Sequence, residues 1–169
     1  SYFEEMNTRY IIHYLEEKEP LGTAGSLKLL EGKIDGSLLV SNCDIVVDAD
    51  YAEIIEFHKS SGYDMTLVGS FRHQVIPYGI CEIENGGLLK KIIEKPEYDF
   101  LVSTGMYVVK ESALRLIPLN QKFNMTDLVK AIRDNGGRVG VFPISEKAWT
   151  DIGQWEEYKQ AVEKMRLLN

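Results

Sequence analysis

Two aspartates far apart in the chain, Asp44 and Asp151, each follow an apolar stretch that reads as a strand. A carboxylate in such a place can hold a Mg²⁺ that also touches phosphate oxygens, because this ion takes a few carboxylates, water and phosphate. Two carboxylates brought together from distant segments are what a phosphoryl-transfer metal site needs. Each residue also has an ordinary explanation. Asp44 can bond to its own backbone in a turn. Asp151, in Trp149-Thr150-Asp151-Ile152-Gly153, can cap a helix that follows it. Asp48 and Asp50 lie close to Asp44, and Asp50 reads best as a helix cap.

Glu94-Lys95-Pro96 offers either a surface ion pair or a lysine fixed by the following proline and aimed at a phosphate or sugar. Gly79, after Pro77-Tyr78, either lets a backbone approach a ligand or marks a bulge. Gly22-Thr23-Ala24-Gly25 could meet a nucleotide base through backbone groups, but it matches neither the P-loop nor the dinucleotide fingerprint. His13, His58 and His73 have no nucleophile or base partner in sequence. Cys43 and Cys81 are far apart, form no zinc pattern, and read as two reduced thiols.

The elements that must position these residues alternate in type. A short helix is expected over Met6 to Leu15, and Ser37 to Asn42 reads as a buried strand. Asp50 with Glu53 three residues on begins a helix that Gly62 closes. Asp64 to Ser70 is a strand. Tyr78 to Glu84 and Leu88 to Glu94 pair across the hairpin signal Asn85-Gly86-Gly87. Val102 to Val109 and Arg138 to Ile144 are strands, and Glu111 to Ile117 and Thr126 to Asn135 are helices. A last helix, Gln154 to about Leu167, carries an apolar stripe of Trp155, Tyr158, Val162 and Met165. Strands separated by helices predict an α/β fold: three layers, α/β/α, around a mixed, mostly parallel sheet, in one domain over residues 1–169. In such sheets ligands sit beyond the C-terminal strand ends, where Asp44 falls.

Composition narrows the function. The 169 residues are 44% apolar and 27% charged, with net charge −7, the balance of an ordinary globular domain. A nucleic-acid binder would show basic clusters, and here the longest are pairs such as Lys90-Lys91. No apolar run is long enough to span a bilayer. Ser1 to Met6 has no basic-then-apolar leader pattern, so a cytoplasmic protein is expected. Whether the chain forms a homo-oligomer is left open.

In order, Leu21-Gly22-Thr23-Ala24-Gly25-Ser26-Leu27, Ser41-Asn42-Cys43-Asp44, Pro77-Tyr78-Gly79, Ile93-Glu94-Lys95-Pro96, Ser103-Thr104-Gly105-Met106-Tyr107 and Trp149-Thr150-Asp151-Ile152-Gly153 resemble the sugar-1-phosphate nucleotidyltransferases. The similarity runs from about Glu17 to Lys164, and the last segment looks most like mannose-1-phosphate guanylyltransferase-type members. The resemblance implies a Rossmann-like nucleotide-diphospho-sugar transferase fold. It also implies transfer of a nucleotidyl group from a nucleoside triphosphate to a sugar 1-phosphate, with release of pyrophosphate. By matching motifs, Gly22 and Thr23 would contact the base, Asp44 and Asp151 would hold Mg²⁺, and Gly79, Glu94 and Lys95 would contact the sugar and its phosphate. Asp44, Lys95 and Asp151 would be the catalytic residues.

Two departures stand out. The family usually has Asn where Ser103 stands, a sugar-contacting position. The family also opens with a strand and a Gly-rich loop that wraps the triphosphate, and nothing before Ser1 supplies it. The chain is therefore expected to be a truncated and inactive piece of an active parent. A non-catalytic module that binds a sugar nucleotide is the alternative. A glycosyltransferase of the same fold ranks last, since it would want two aspartates close together after the strand.

Overall fold

The computed structural model describes residues 10–153. Its centre is a four-stranded sheet in the order β1 (Ser37–Ser41), β6 (Glu97–Lys110), β3 (Met65–Val75), β7 (Val139–Ile144). The sheet is mixed, as expected. β3 and β7 pair in parallel, while β6 runs antiparallel to both β1 and β3, so three of the four strands share one direction. Two further pairs complete the strands. β2 (Ile45–Val47) pairs antiparallel with β8 (Trp149–Asp151), and β4 (Ile80–Ile83) with β5 (Leu89–Ile93).

Alternation along β3 and β6 sends successive side chains to opposite faces, so each face has its own core. Met65, Tyr107 and Val109 pack on one side with Ala24, Leu114, Met125, Leu128 and Ile132. These last residues come from α1 (Gly22–Gly25), from a 3-10 turn at Glu111–Leu116, and from α3 (Met125–Asp134). Val68, Met106, Val108 and Ile144 pack on the other side with Val47 of β2 and Ile54 of α2 (Tyr51–Ser61). The result is the three-layer architecture predicted from the alternating signals.

Local chemistry explains the boundaries. The Asp50 carboxylate accepts the N–H groups of Ala52 (2.8 Å) and Glu53 (3.2 Å), capping α2. Gly62 ends that helix at φ +65°, a conformation glycine adopts without a Cβ penalty. His58 is the buried polar group of α2. Its ring nitrogens meet Ser37 Oγ (3.2 Å) and Thr66 Oγ1 (2.9 Å), tying the helix to β1 and β3. Burial first, then the Lys110 charge, pushes its pKa below the ordinary histidine value.

Two expectations are corrected. Of the helix expected over Met6 to Leu15, the described part, residues 10–15, is not helical. Ile11 is 84% exposed there, and a short helix with no surface to bury its apolar residues is marginal in water. Ser37–Ser41 is a strand but not a buried one: among the described residues it stands at the edge of the sheet, paired only to β6, and Leu39 is 38% exposed. The helix expected from Gln154 to Leu167 lies outside the described residues. Among the described residues no helix is long and apolar enough to cross a membrane.

Candidate functional site

The ends of β1, β3 and β7 make one rim, and β6 reaches it with an irregularity. Between the pairs Leu67↔Tyr107 and Gly69↔Ser103, Val68 alone faces Thr104, Gly105 and Met106. This bulge is built by residue type. Gly105 takes φ +87°. The Thr104 hydroxyl donates to the Val68 carbonyl (2.9 Å), replacing a ladder bond, and also accepts the Met106 N–H (3.3 Å). Asn42, just past β1, donates its N–H to the Gly105 carbonyl (3.0 Å), and its side chain fills the space that a Cβ on Gly105 would need.

Asp44 and Asp151 meet at this rim. β2 and β8 set Ile45 opposite Asp151, and the Asp44 carbonyl accepts the Ile152 N–H (2.8 Å). The Asp48 N–H donates to the Ala148 carbonyl (2.8 Å) at the other end of the pair. Oxygens of both carboxylates therefore lie about one point: a Cβ on Gly153 would sit 3.0 Å from Asp44 Oδ2 and 3.1 Å from Asp151 Oδ1. A side chain there would crowd both carboxylates, while the backbone angle itself does not call for glycine. The Gly153 N–H donates to Asp151 Oδ1 (3.0 Å), orienting that carboxylate. β8 is anchored from β3, where the Arg72 guanidinium stacks over the Trp149 ring (4.9 Å) and pairs with Glu146 (2.8 Å). Asp151 is thus a strand residue in a long-range pair; the helix that its cap reading concerns lies outside the described residues. Among the described residues no group of three or more His, Cys, Asp or Glu side chains gathers as a metal cluster. The donor set here is two carboxylates, hard oxygens suited to Mg²⁺ that shares its remaining positions with water and phosphate.

Ser103 stands in β6 beside the bulge, and its hydroxyl hydrogen-bonds with the Tyr107 hydroxyl (3.3 Å). Beyond the bulge, β3 and β6 continue as a two-stranded ribbon, Phe71–Val75 against Glu97–Leu101. The ribbon leads into the β4–β5 hairpin, where Gly79, Glu94 and Lys95 cluster. A Cβ on Gly79 would lie 3.0 Å from Glu94 Oε2, so Gly79 is the residue that lets this carboxylate lie against the backbone. Lys95 sits at φ +42°, a region costly for a side chain with a Cβ, held between Glu94 and Pro96. On one face of the ribbon His73 Nδ1 meets Asp99 (2.9 Å), and that hydrogen bond raises the histidine pKa above its ordinary value.

Gly22 and Thr23 belong to a third group, the turn α1, which docks on the start of α3. The N–H groups of Ala24 and Gly25 both donate to the Phe123 carbonyl (2.9 and 3.0 Å). Next to this turn is a cleft of about 400 Å³ lined by Glu16, Glu17, Glu19, Lys18, Leu21 and Asn120. Its charge is wrong for phosphates. A second cleft, near Asp64 and Gly137, is at the opposite end of the sheet from the aspartates. Sequence reasoning missed Gly153, Asn42 and Asn124. Gly153 was visible only as part of a motif, and nothing in the chain places it between two carboxylates.

Known proteins resemble this chain throughout. The sequence profile of the nucleotidyl transferase family matches residues 2–166. The mannose-1-phosphate guanyltransferase of Aspergillus fumigatus is 32% identical over 165 residues, 93% of this chain and 44% of that protein. That of Hypocrea jecorina is 31% identical over 156 residues, 87% of this chain and 42% of its own length. The chain thus spans less than half the length of these relatives. The crystal structure of HddC from Yersinia pseudotuberculosis superimposes with a TM-score of 0.69, covering 96% of this chain and 71% of that one. At 23% identity it speaks for the fold alone. A second structure of HddC, complexed with GMP-PN, is 28% identical with a TM-score of 0.62, covering 88% of this chain and 64% of that one.

Proposed function

The chain belongs to the nucleotidyl transferase family, and on that footing we propose that the protein transfers a nucleotidyl group to a sugar 1-phosphate. A phosphate oxygen of the sugar 1-phosphate attacks the α-phosphorus of a nucleoside triphosphate. The bond from that phosphorus to the β-phosphate oxygen breaks, and pyrophosphate leaves with the electron pair. The products are a nucleotide sugar and pyrophosphate. The observation that carries the reading is the pair Asp44 and Asp151 gathered about Gly153. The step gathers negative charge, so positioning and neutralisation are the help it needs. Mg²⁺, held by Asp44 and Asp151, would supply that neutralisation when bound. Lys95 would carry positive charge to the sugar phosphate. Glu94 and Ser103 would hold sugar hydroxyls, with Gly79 leaving room for them. Gly22 and Thr23 would border the base. GTP and mannose 1-phosphate are the substrates that the guanyltransferase relatives favour.

The test is pyrophosphate release by the full-length gene product across a panel of triphosphates and sugar 1-phosphates. Turnover with GTP and a hexose 1-phosphate is expected. No turnover with any pair sinks the proposal. One observation favours a second reading, a binding module without chemistry: the hydroxyl of Ser103, an exposed residue, is hydrogen-bonded to the Tyr107 hydroxyl of the same strand. That reading predicts calorimetric binding of a nucleotide sugar by a full-length protein that releases no pyrophosphate.

A further inference from the structure

The α1 turn does not stand on its own hydrogen bonds. It is held by Phe123, Asn124 and Met125, whose place in the sequence is a hundred residues away. The Thr23 N–H donates to Asn124 Oδ1 (3.4 Å) across a separation of 101 residues. In return the Thr23 hydroxyl accepts the Met125 N–H (2.9 Å), the first backbone donor of α3. The Phe123 N–H donates to the Leu21 carbonyl (2.8 Å). Asn124 also caps α3 in a box with Asp127, whose Oδ2 accepts the Asn124 N–H (2.8 Å). Gly22, at φ +79°, lies so close that a Cβ on it would stand 2.7 Å from Asn124 Oδ1.

Two consequences follow from this exchange. The backbone donors of Thr23, Ala24 and Gly25 are all spent on the protein. And Gly22 and Thr23 both lie against one side chain, Asn124, which is itself fixed by the first turn of a helix whose Leu128 and Ile132 are fully buried. That amide ties the turn to the core beside the backbone bonds of Phe123 and Met125.

We infer that Asn124 is a positioning residue for the nucleoside triphosphate: it seats Gly22 and Thr23 and acts on the nucleotide only through them. The inference rests on the proposed transferase reading, with the turn beside the base. Binding that depends on a preset turn weakens when the turn must be ordered at the moment of binding.

The experiment is steady-state kinetics on the full-length protein with Asn124→Ala, Asn124→Ser and Asn124→Asp, each with its melting temperature. Losing the Thr23 contact should raise the KM for the nucleoside triphosphate roughly three- to tenfold, the worth of one net hydrogen bond, and leave the KM for the sugar 1-phosphate within about twofold. Asn124→Asp keeps an acceptor oxygen at the same place and should recover most of the loss. Ile54→Ala, in the core on the other face of the sheet, is the control: it lowers the melting temperature without changing the ratio of the two KM values. Should Asn124→Ala not fold, Asn124→Ser, whose short hydroxyl can still cap α3 but does not reach the Thr23 N–H, should show the same one-sided rise. An unchanged nucleotide KM, both KM values rising together, or no recovery with Asp would overturn the positioning role. A wild-type protein without turnover would instead bring down the transferase reading itself, and this role with it.

Discussion

The aspartate pair and the Gly79–Glu94–Lys95 cluster are both at the ends of strands, but they are assembled in opposite ways. The cluster is local. A hairpin of two short strands turns at Asn85-Gly86-Gly87 and sets Ile80 against Ile93, so its residues meet because the chain folds back on itself. The aspartate pair is made by two three-residue strands from distant parts of the chain. So short a pair has little stability alone. It persists because Val47 and Trp149 pack on the second core and Arg72 stacks on the Trp149 ring. The difference teaches where precision is placed. Groups that would grip a metal ion are tied to the core from both sides, while groups that would touch the sugar ride on an exposed ribbon.

Breaking the tied half should have the largest effect. Asp44→Asn or Asp151→Asn in the full-length protein should lower kcat by about 10²–10³, the usual loss when one electrostatic stabiliser of a transition state is removed. Pyrophosphate release with and without added Mg²⁺ measures it, and the melting temperature should hold. Gly153→Ala sharpens the point, because its Cβ would press on both carboxylates. It should weaken Mg²⁺ dependence while neighbouring substitutions such as Ile152→Val do not. Lys95→Ala on the ribbon should cost less, roughly tenfold, read as a rise in the KM for the sugar 1-phosphate. Equal losses from Asp151→Asn and Lys95→Ala would erase the contrast between the two regions.

Stability should divide along the same line. Leu128→Ala removes a fully buried side chain and should cost about 2–5 kcal/mol in denaturant unfolding, whereas Phe100→Ala on the ribbon should cost far less. The two histidines give the smallest effects, with opposite signs. His58 has a lowered pKa, so the unfolded chain takes up its proton first, and stability should fall as pH drops below the ordinary histidine value of 6.5. His73 has a raised pKa, so its contact with Asp99 contributes below pH 6.5 and is lost as pH rises through the folded value. NMR titration of the two rings, in wild type and Asp99→Asn, separates them.

What could be read from the chain divides in the same way. The hairpin announced itself through Asn85-Gly86-Gly87, and the α2 boundaries through Asp50 and Gly62, since turn and cap chemistry is local. Asp44 and Asp151 could be singled out by type and place, but their meeting depends on a pairing between segments that share no local signal. The edge position of Ser37–Ser41 was invisible for a related reason. Its apolar run reports burial of one face, and only the whole sheet tells how many neighbours the strand has. Residues 10–15 were misjudged because helical spacing was present and a surface to bury it was not. Asn124, two residues ahead of the expected helix start at Thr126, is the cap that the structure adds. Its reach to Gly22 and Thr23 needed coordinates.

The bulge at Thr104, Gly105 and Met106 has a consequence for how such a protein could change its diet. β6 is one strand of fourteen residues that belongs to the core below this point and to the ribbon above it. Three residues, buttressed by Asn42, decide the angle at which the upper half departs. Altering them would swing the whole ribbon and its hairpin while leaving the aspartates and the hydrophobic layers where they are. A lineage could therefore try new substrates at a joint, without rebuilding the machine on either side of it.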